Sequence, residues 1–310
     1  MLSGIVLSKA MENKTGYVVS ILSRYPRLML PALLSCFVSY VIYKFIIVEN
    51  KVFLSGWFNG LFINSPSLLD VFYYGAIKPF FSTGSLYNNV LWTMRTELIG
   101  SIYIYIFSYL SIYNKKYSTI LFLLSIPIVY FIDKTMVLGI GCFFFGFVVF
   151  KYKYIIKNEY ISYLFLLFGL YLAGAHNDSI SYEYISYFLG KYTYTLCNFF
   201  AAFFIMLSII SNEKIKKVLN HKLLCKLGAL SFPIYLLHIS VIAIVCNFIY
   251  PLLNIEYSSI LCVLIIIVLS FIVAIPMSKF DLLAVKISKK TATFIVLSIK
   301  NYIFSPSVDI

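Results

Sequence analysis

The segment 88–99, NNVLWTMRTELI, carries the side chains of this sequence best suited to chemistry. It places Trp92, Arg95 and Glu97 at the start of a run that stays apolar to about Ile112. A charge inside a membrane span is costly and is kept there by pairing or by function. Arg95 and Glu97 are two residues apart, so on a helix they point away from each other and each needs another partner. An interhelical ion pair and a catalytic role both remain open.

A second candidate is the pair Arg24 and Arg27 in the segment RYPRLMLP, just before the first long apolar run. Two arginines three apart share one face of a helix, and guanidinium groups bind phosphate well. The pair therefore suits a phosphate-bearing cofactor. The structural alternative is an anchor of basic residues at the cytoplasmic end of a span.

A third candidate is the stripe Ser231, Tyr235 and His238 in LGALSFPIYLLH. The spacing i, i+4, i+7 puts the three side chains on one face of a helix that contains Pro233, where a kink is expected. A polar stripe in a membrane helix faces the protein interior or a cavity. Interhelical hydrogen bonds that serve packing alone would give the same pattern.

The composition indicates the elements that must position these residues. Hydrophobic residues make up 61% of the chain and charged residues only 12%, about half the usual share for a soluble domain. The sequence therefore predicts an all-α, polytopic integral membrane helical bundle in contact with the lipid bilayer. About eight full spans are expected, together with an N-terminal remnant of another in 1–8. The predicted spans are 28–48, 90–112, 118–132, 135–150, 160–175, 193–211, 228–250 and 257–277.

The basic residues predict the orientation. The loops 1–27, 113–117, 151–159, 212–227 and 278–310 hold 19 of the 25 Lys and Arg residues. This asymmetry places those loops and the C-terminus in the cytoplasm. The charge of +13 therefore reflects topology, and because it is spread over short loops we expect no nucleic-acid partner.

The chain is expected to form one membrane domain, 1–285, followed by a cytoplasmic tail, 286–310. The part 287–304 mixes Lys with apolar residues, so it is predicted to lie along the inner membrane surface. Asp281, just past the last span, is predicted to be solvated. The long connection 49–89 is assigned to the outer side.

No metal site is predicted. The histidines His176, His221 and His238 are dispersed, and the six cysteines include no CxxC pair. No bound cofactor is expected either, because no phosphate-binding glycine loop occurs.

The order RYPRLMLP, LWTMRTEL, LGALSFPIYLLH resembles the acyltransferase 3 family of bacterial membrane O-acyltransferases, which includes O-antigen acetylases. The start, MLSGIVLS, is similar to the end of that family's second helix. The resemblance covers nearly the whole chain. It implies about ten helices, acetyl-CoA as co-substrate on the cytoplasmic side, and delivery of the acetyl group to a hydroxyl of a surface or lipid-linked glycan such as O-antigen or exopolysaccharide.

The resemblance also assigns roles residue by residue. Glu97, Arg95 and His238 are the candidate catalytic residues. Arg24 and Arg27, in the basic motif, are the candidates for binding acetyl-CoA, whereas Trp92, Ser231 and Tyr235 are candidates for binding the acceptor. By the predicted topology, Arg24 and Arg27 lie on the cytoplasmic side and Arg95 and Glu97 begin at the outer side.

One departure from the family affects the expected activity. The family's first helix carries an Arg and, some ten residues later, the His to which catalysis is assigned. We expect this sequence to lack both residues, because its resemblance to the family starts at the end of the second helix. His238 belongs to a different motif. The 310-residue chain is therefore not expected to acylate alone unless His238 or a separate polypeptide replaces that group.

Two other classes of function fit a helical bundle with a few buried charges. One is a transporter or flippase for a lipid-linked glycan, which would be expected to contain repeated halves with broken helices. The other is a membrane glycan polymerase, which would be expected to carry a large outer loop with several arginines. The sequence has no internal repeat, and the connection 49–89 contains no arginine.

Overall fold

The structure is a computed structural model that describes residues 1–12, 16–47, 66–82, 84–176, 179–252 and 258–304, with side chains as far as 299. The regular elements in these ranges are all helical, and no strand occurs among them, which confirms the predicted all-α class. The α-helices are α1 Leu2–Ala10, α2 Tyr17–Val41, α3 Leu68–Phe72, α4 Lys78–Phe81, α5 Met94–Tyr113, α6 Lys115–Ile132, α7 Val137–Tyr152, α8 Glu159–Ala173, α9 Glu183–Leu189, α10 Thr193–Ser211, α11 Glu213–Leu219, α12 Lys222–Phe248 and α13 Ser258–Phe304.

Six of the described helical stretches are long and apolar enough to cross a membrane, so the predicted number of eight is not confirmed. Two predicted spans fall short of this standard. The run 160–175 forms α8, which has only 15 residues, and the run 90–112 forms α5, whose first turn contains Glu97. The six are Tyr17–Ile46, Lys115–Ile132, Lys134–Tyr152, Ile180–Ser211, Lys222–Leu252 and Ser259–Ile299.

The chain divides into two compact units, the first formed by Met1–Tyr17 and Ile99–Leu224. Within it, α1 packs against α7 and α8 packs against α10. Glycine allows the closest of these approaches, because a Cβ on Gly4 would lie 2.6 Å from the carbonyl oxygen of Phe143. Small residues that let backbones approach are the usual means of helix association in lipid.

The second unit is formed by Val18–Leu98 and Cys225–Ile310, and it contains all the candidate site residues. Its central helix is α2, which continues through a π-helical turn, Ile42–Ile46. The short helices α3 and α4, joined by the π-helical turn Tyr73–Ile77, lie along α2. A Cβ on Gly75 would lie 2.9 Å from the Cα of Leu33, so this glycine permits a close approach to α2.

This arrangement corrects the prediction that 49–89 is simply an outer connection. The described part is helical from Leu68 to Phe81 and packs against α2, whereas 48–65 lies outside the described residues. The helices α3 and α4 have five and four residues, which is far below the length of a span. A search of the sequence for long apolar runs therefore passes over them.

The last helix is continuous from Ser258 to Phe304, so the expected boundary at 286 falls inside a helix. Small side chains of its second half are buried, among them Ala284, Ser288 and Ala292. Asp281 is half-buried rather than solvated, and it lies within electrostatic range of Arg27. Residues 305–310, the end of the predicted tail, lie outside the described residues.

Candidate functional site

An ion pair joins Arg24, in the second turn of α2, to Glu97, in the first turn of α5. The Arg24 Nη2 atom lies 3.2 Å from the Glu97 Oε2 atom. The Arg24 side chain is only 8% exposed and the Glu97 side chain 34% exposed. The prediction that these two residues lie at opposite sides of the membrane is therefore wrong, because they are in contact.

The path of the chain between α2 and α5 explains this contact. Helix α4 ends beside the first turns of α2, where the Tyr25 hydroxyl donates to the carbonyl oxygen of Ala76 over 2.8 Å. The chain then leaves the helical conformation at Ser82, passes Gly84 at φ +71°, and enters the 3-10 turn Asn89–Thr93. This irregular segment carries the chain along α2, so α5 begins beside Arg24. Irregular backbone is tolerated in a membrane protein where protein surrounds it.

Tyr235 of α12 holds the 3-10 turn. Its hydroxyl donates to the carbonyl oxygen of Val90 and lies 2.8 Å from the Thr93 Oγ1 atom. Both hydrogen-bonding functions of the phenol are thus used within the protein. Tyr235 was predicted to bind the acceptor, and in the structure its contacts are those of a residue that positions the turn. Thr93 is the partner that the sequence analysis did not single out.

Trp92 lies in the same 3-10 turn, and its side chain is 63% exposed. An exposed indole ring offers a flat apolar surface with a polar edge. This exposure is compatible with the predicted role of Trp92 in binding an acceptor.

His238 is half-buried one turn along α12 from Tyr235. Its Nδ1 atom lies 2.9 Å from the carbonyl oxygen of Tyr235 and 3.3 Å from that of Ile234. A carbonyl oxygen only accepts hydrogen bonds, so these contacts require a proton on Nδ1. In the tautomer that carries its only proton on Nδ1, Nε2 is the acceptor that a general base requires.

Ser231 shares the helix with Tyr235 and His238, as predicted, but the structure does not bring it into the same cluster. It is exposed, and its hydroxyl donates to the carbonyl oxygen of Gly228, 2.8 Å away in the same helix. Helix α12 also continues through Pro233 from Lys222 to Phe248.

The remaining arginines differ in exposure. Arg27 is exposed on α2 and Arg95 is half-buried on α5. Of the two residues predicted to bind acetyl-CoA, Arg27 is the one whose exposure suits a phosphate group. Arg24 is buried and joined to Glu97.

Sequence reasoning missed Asn88, which is 2% exposed at the end of the irregular segment. Its Nδ2 atom donates to the Ser35 Oγ atom of α2 over 2.9 Å and to the Leu236 carbonyl oxygen of α12 over 2.8 Å. The one feature of the sequence that could have indicated Asn88 is its position at the start of the segment NNVLWTMRTELI. Asparagine is common in exposed turns, however, and the sequence gives no indication of burial.

Within the described ranges, no group of three or more His, Cys, Asp and Glu side chains could hold a metal ion. The second unit thus contains an ion pair between a buried Arg and a partly exposed Glu, a histidine whose Nδ1 atom is bonded to backbone carbonyls, and an exposed tryptophan, in a helical protein with several apolar helices of spanning length. These features define a multi-pass membrane protein with a polar site.

Residues 1–279 match the family model of acyltransferase 3, described as an acyltransferase domain. The match covers most of the chain, so the protein belongs to the acyltransferase 3 family. Comparison with curated proteins gives no match. Comparison with solved structures gives no match either.

Proposed function

We propose that this protein is a membrane O-acyltransferase that moves an acetyl group from acetyl-CoA to a hydroxyl of a cell-surface or lipid-linked glycan. The observation that carries the proposal is the family match over residues 1–279. It is supported by the grouping of Glu97, Arg24, Trp92 and His238 in the second unit of the fold. The donor, the glycan acceptor and the inner-membrane location are parts of the proposal.

In the proposed reaction, His238 is the general base. Its Nε2 atom accepts the proton of the glycan hydroxyl while the hydroxyl oxygen attacks the thioester carbonyl carbon. The tetrahedral intermediate collapses, the carbon–sulfur bond breaks, and its electron pair leaves with the sulfur. The imidazolium returns the proton to the CoA thiolate, so the products are the acetyl ester and CoA with a free thiol. The hydrogen bond from Nδ1 to the Tyr235 carbonyl oxygen stabilises the imidazolium.

The other residues bind and orient the reactants. Trp92 offers its exposed ring to the sugar, and Arg95 donates to the oxyanion that develops on the thioester carbonyl. Arg27, exposed on α2, binds a CoA phosphate. Glu97 and Arg24 hold the start of α5 against α2, and Glu97 accepts a hydrogen bond from the acceptor.

The test uses membranes containing the full chain, prepared from a strain without its own O-acetylase, and radiolabelled acetyl-CoA. Ester-linked label on glycan is measured for the wild type and for His238→Ala, with His221→Ala as the control, since His221 is exposed at a helix end. We expect His238→Ala to reduce transfer by roughly 100- to 10,000-fold, the usual contribution of a general base. We expect His221→Ala to behave as the wild type.

Acetyl-CoA binding is measured on the same membranes, so that each combination of binding and transfer has a defined interpretation. Transfer that survives in His238→Ala contradicts the assignment of the base. Acetyl-CoA binding without transfer supports donor binding and contradicts the assignment of His238 as the base. Neither binding nor transfer overturns the proposed function. Arg27→Gln is expected to weaken acetyl-CoA binding, whereas Lys153→Gln, an exposed residue of the first unit, is not.

A further inference from the structure

We propose that Asn88 is a positioning residue that fixes the 3-10 turn Asn89–Thr93 and, through it, Trp92 and Glu97. The inference rests on the proposed function only where activity is the readout. It starts from burial: the Asn88 side chain is 2% exposed, although it lies in irregular backbone between α4 and α5. The buried Nδ2 group makes two hydrogen bonds, whereas the Oδ1 atom is buried without a hydrogen-bond partner among the described residues.

The orientation of the Asn88 amide follows from its partners. The Leu236 carbonyl oxygen only accepts, so the atom 2.8 Å from it is the donor Nδ2. The second proton of Nδ2 goes to the Ser35 Oγ atom, and the Ser35 hydroxyl in turn donates to the Ala32 carbonyl oxygen over 2.7 Å. Both protons of one amide thus join the segment to α2 and α12 at the same point.

The backbone of Asn88 is fixed as well. Its N–H donates to the Ser85 Oγ atom over 3.3 Å, and the 3-10 turn begins at the next residue. Tyr235 binds that turn at Val90 and Thr93. The chain from Asn88 to Glu97 is therefore held at its start by α2 and α12, in its middle by α12, and at its end by Arg24.

A shift of one residue in this segment would move the site. On a helix one residue corresponds to a rise of about 1.5 Å and a rotation of about 100°, which would turn Glu97 away from Arg24. Misplacement of a reacting group by about 1 Å can cost roughly 100-fold in rate. Asn88 is thus expected to act on catalysis without touching a reactant.

The experiment compares Asn88→Asp and Asn88→Ala with Asn89→Asp and Asn89→Ala in the full chain. Asn89 is the matched control, because it is the same residue type at the next position and is exposed. Asn88→Asp keeps the side-chain shape and replaces the donor facing the Leu236 carbonyl with an acceptor. For both Asn88 variants we expect kcat to fall roughly 10- to 100-fold and KM for acetyl-CoA to change less than about twofold. The Asn89 variants should match the wild type.

A second readout needs no activity. In a Trp57→Phe background, Trp92 is the one remaining tryptophan of the sequence, so its fluorescence reports on the 3-10 turn. The Asn88 variants should shift the emission maximum and raise quenching by acrylamide, and the Asn89 variants should do neither. If the wild type neither binds acetyl-CoA nor transfers an acetyl group, the proposed function fails, and this readout still tests Asn88.

The results that would overturn the inference are specific. Unchanged Trp92 emission together with an unchanged kcat in Asn88→Asp would remove Asn88 from any positioning role. Equal effects of the Asn88 and Asn89 variants would do the same. If the Asn88 variants do not accumulate as folded protein, Ser35→Ala removes one of the two hydrogen bonds. Ser35→Ala is then expected to give a smaller shift of Trp92 emission in the same direction. An emission maximum equal to that of the wild type would overturn the inference.

Discussion

The ion pair between Arg24 and Glu97 leads to an asymmetric prediction for the two residues. Removing Glu97 leaves a guanidinium that is almost fully buried, whereas removing Arg24 leaves a carboxylate that water reaches. We therefore expect Glu97→Gln to destabilise the protein more than Arg24→Gln. We also expect Glu97→Gln to abolish acyl transfer at a normal protein level.

The magnitude follows from the geometry. Two unit charges about 4 Å apart interact by about 4 kcal/mol at an effective dielectric constant near 20. Breaking a fully buried pair costs about 3–5 kcal/mol, and the partial exposure of Glu97 lowers this to about 2–4 kcal/mol for Glu97→Gln. For Arg24→Gln we expect about 1–2 kcal/mol, because water can solvate the remaining carboxylate. The two effects should not add, since the residues are in contact, and the expected coupling is about 1–3 kcal/mol.

The assay is a double-mutant cycle of Arg24→Gln and Glu97→Gln on purified protein, with unfolding followed by temperature and by denaturant. A loss of about 2–4 kcal/mol corresponds to a Tm lower by roughly 4–8 °C. The molecule contains its own control cycle, because the exposed pair of Lys214 and Glu159 has a similar distance of 2.7 Å. Its coupling is expected to be much weaker than that of the Arg24–Glu97 pair, because water and salt screen exposed ion pairs.

Two results would refute this reasoning. Equal coupling in the two cycles would mean that burial does not strengthen the Arg24–Glu97 pair. A variant Arg24→Gln less stable than Glu97→Gln would mean that the carboxylate, and not the guanidinium, is the charge that suffers from loss of its partner. The activity prediction is tested separately: full acyl transfer by Glu97→Gln would show that Glu97 has only a structural role.

Three further predictions concern other parts of the molecule. Gly146→Ala should lower the free energy of unfolding, measured with denaturant, by about 1–3 kcal/mol, because the new Cβ would overlap the backbone of α1. Gly228→Ala is the control and should be neutral or stabilising, because a Cβ there meets open space in the described structure. Tyr235→Phe should lose about 1–3 kcal/mol with its two hydrogen bonds, and a Tm equal to the wild type would contradict this. An impermeant maleimide added outside intact cells should label Tyr184→Cys and not Asn220→Cys; equal labelling would refute the predicted topology.

The class of fold was predictable because it depends on composition and on the length of apolar runs. Long runs such as those in α12 and α13 leave few alternatives to a spanning helix. The family was predictable for a different reason. The order of the motifs that contain Arg27, Trp92 and His238 is read directly from the sequence and requires no knowledge of where these residues lie in the membrane. The match over residues 1–279 confirms it.

The contact between Arg24 and Glu97 could not be predicted in the same way. Counting spans assumes that each apolar run crosses the membrane from one side to the other and that everything between two runs is a loop. Helices α3 and α4 and the irregular segment after them do not follow this rule, because they return along α2. The local sequence carries no signal for such a return, since it depends on contacts of Asn88 with residues 53 and 148 positions away.

The polar residues around the site also form hydrogen bonds with backbone groups that are not paired in an α-helix. This requirement explains why polar residues are concentrated there. A continuous helix would satisfy its own backbone, but Ser67 and the residues 84–93 are not in an α-helix, so side chains supply partners for their backbone. Tyr87 binds the backbone of Ser67 through both N–H and carbonyl, and Tyr235 binds the carbonyl of Val90. Each of these bonds satisfies irregular backbone and at the same time fixes the turn that bears Trp92.

Irregular backbone is thus a condition for the site and not a defect in the fold. It allows the first turn of α5 to begin beside Arg24, which a straight spanning helix entered from the end of α2 would not permit. An unbonded buried backbone group costs about 1–3 kcal/mol, so the side chains that bond this segment, such as Tyr235, serve folding as well as positioning. Their substitution should therefore lower stability and activity together, whereas substitution of His238, the proposed base, should mainly lower activity.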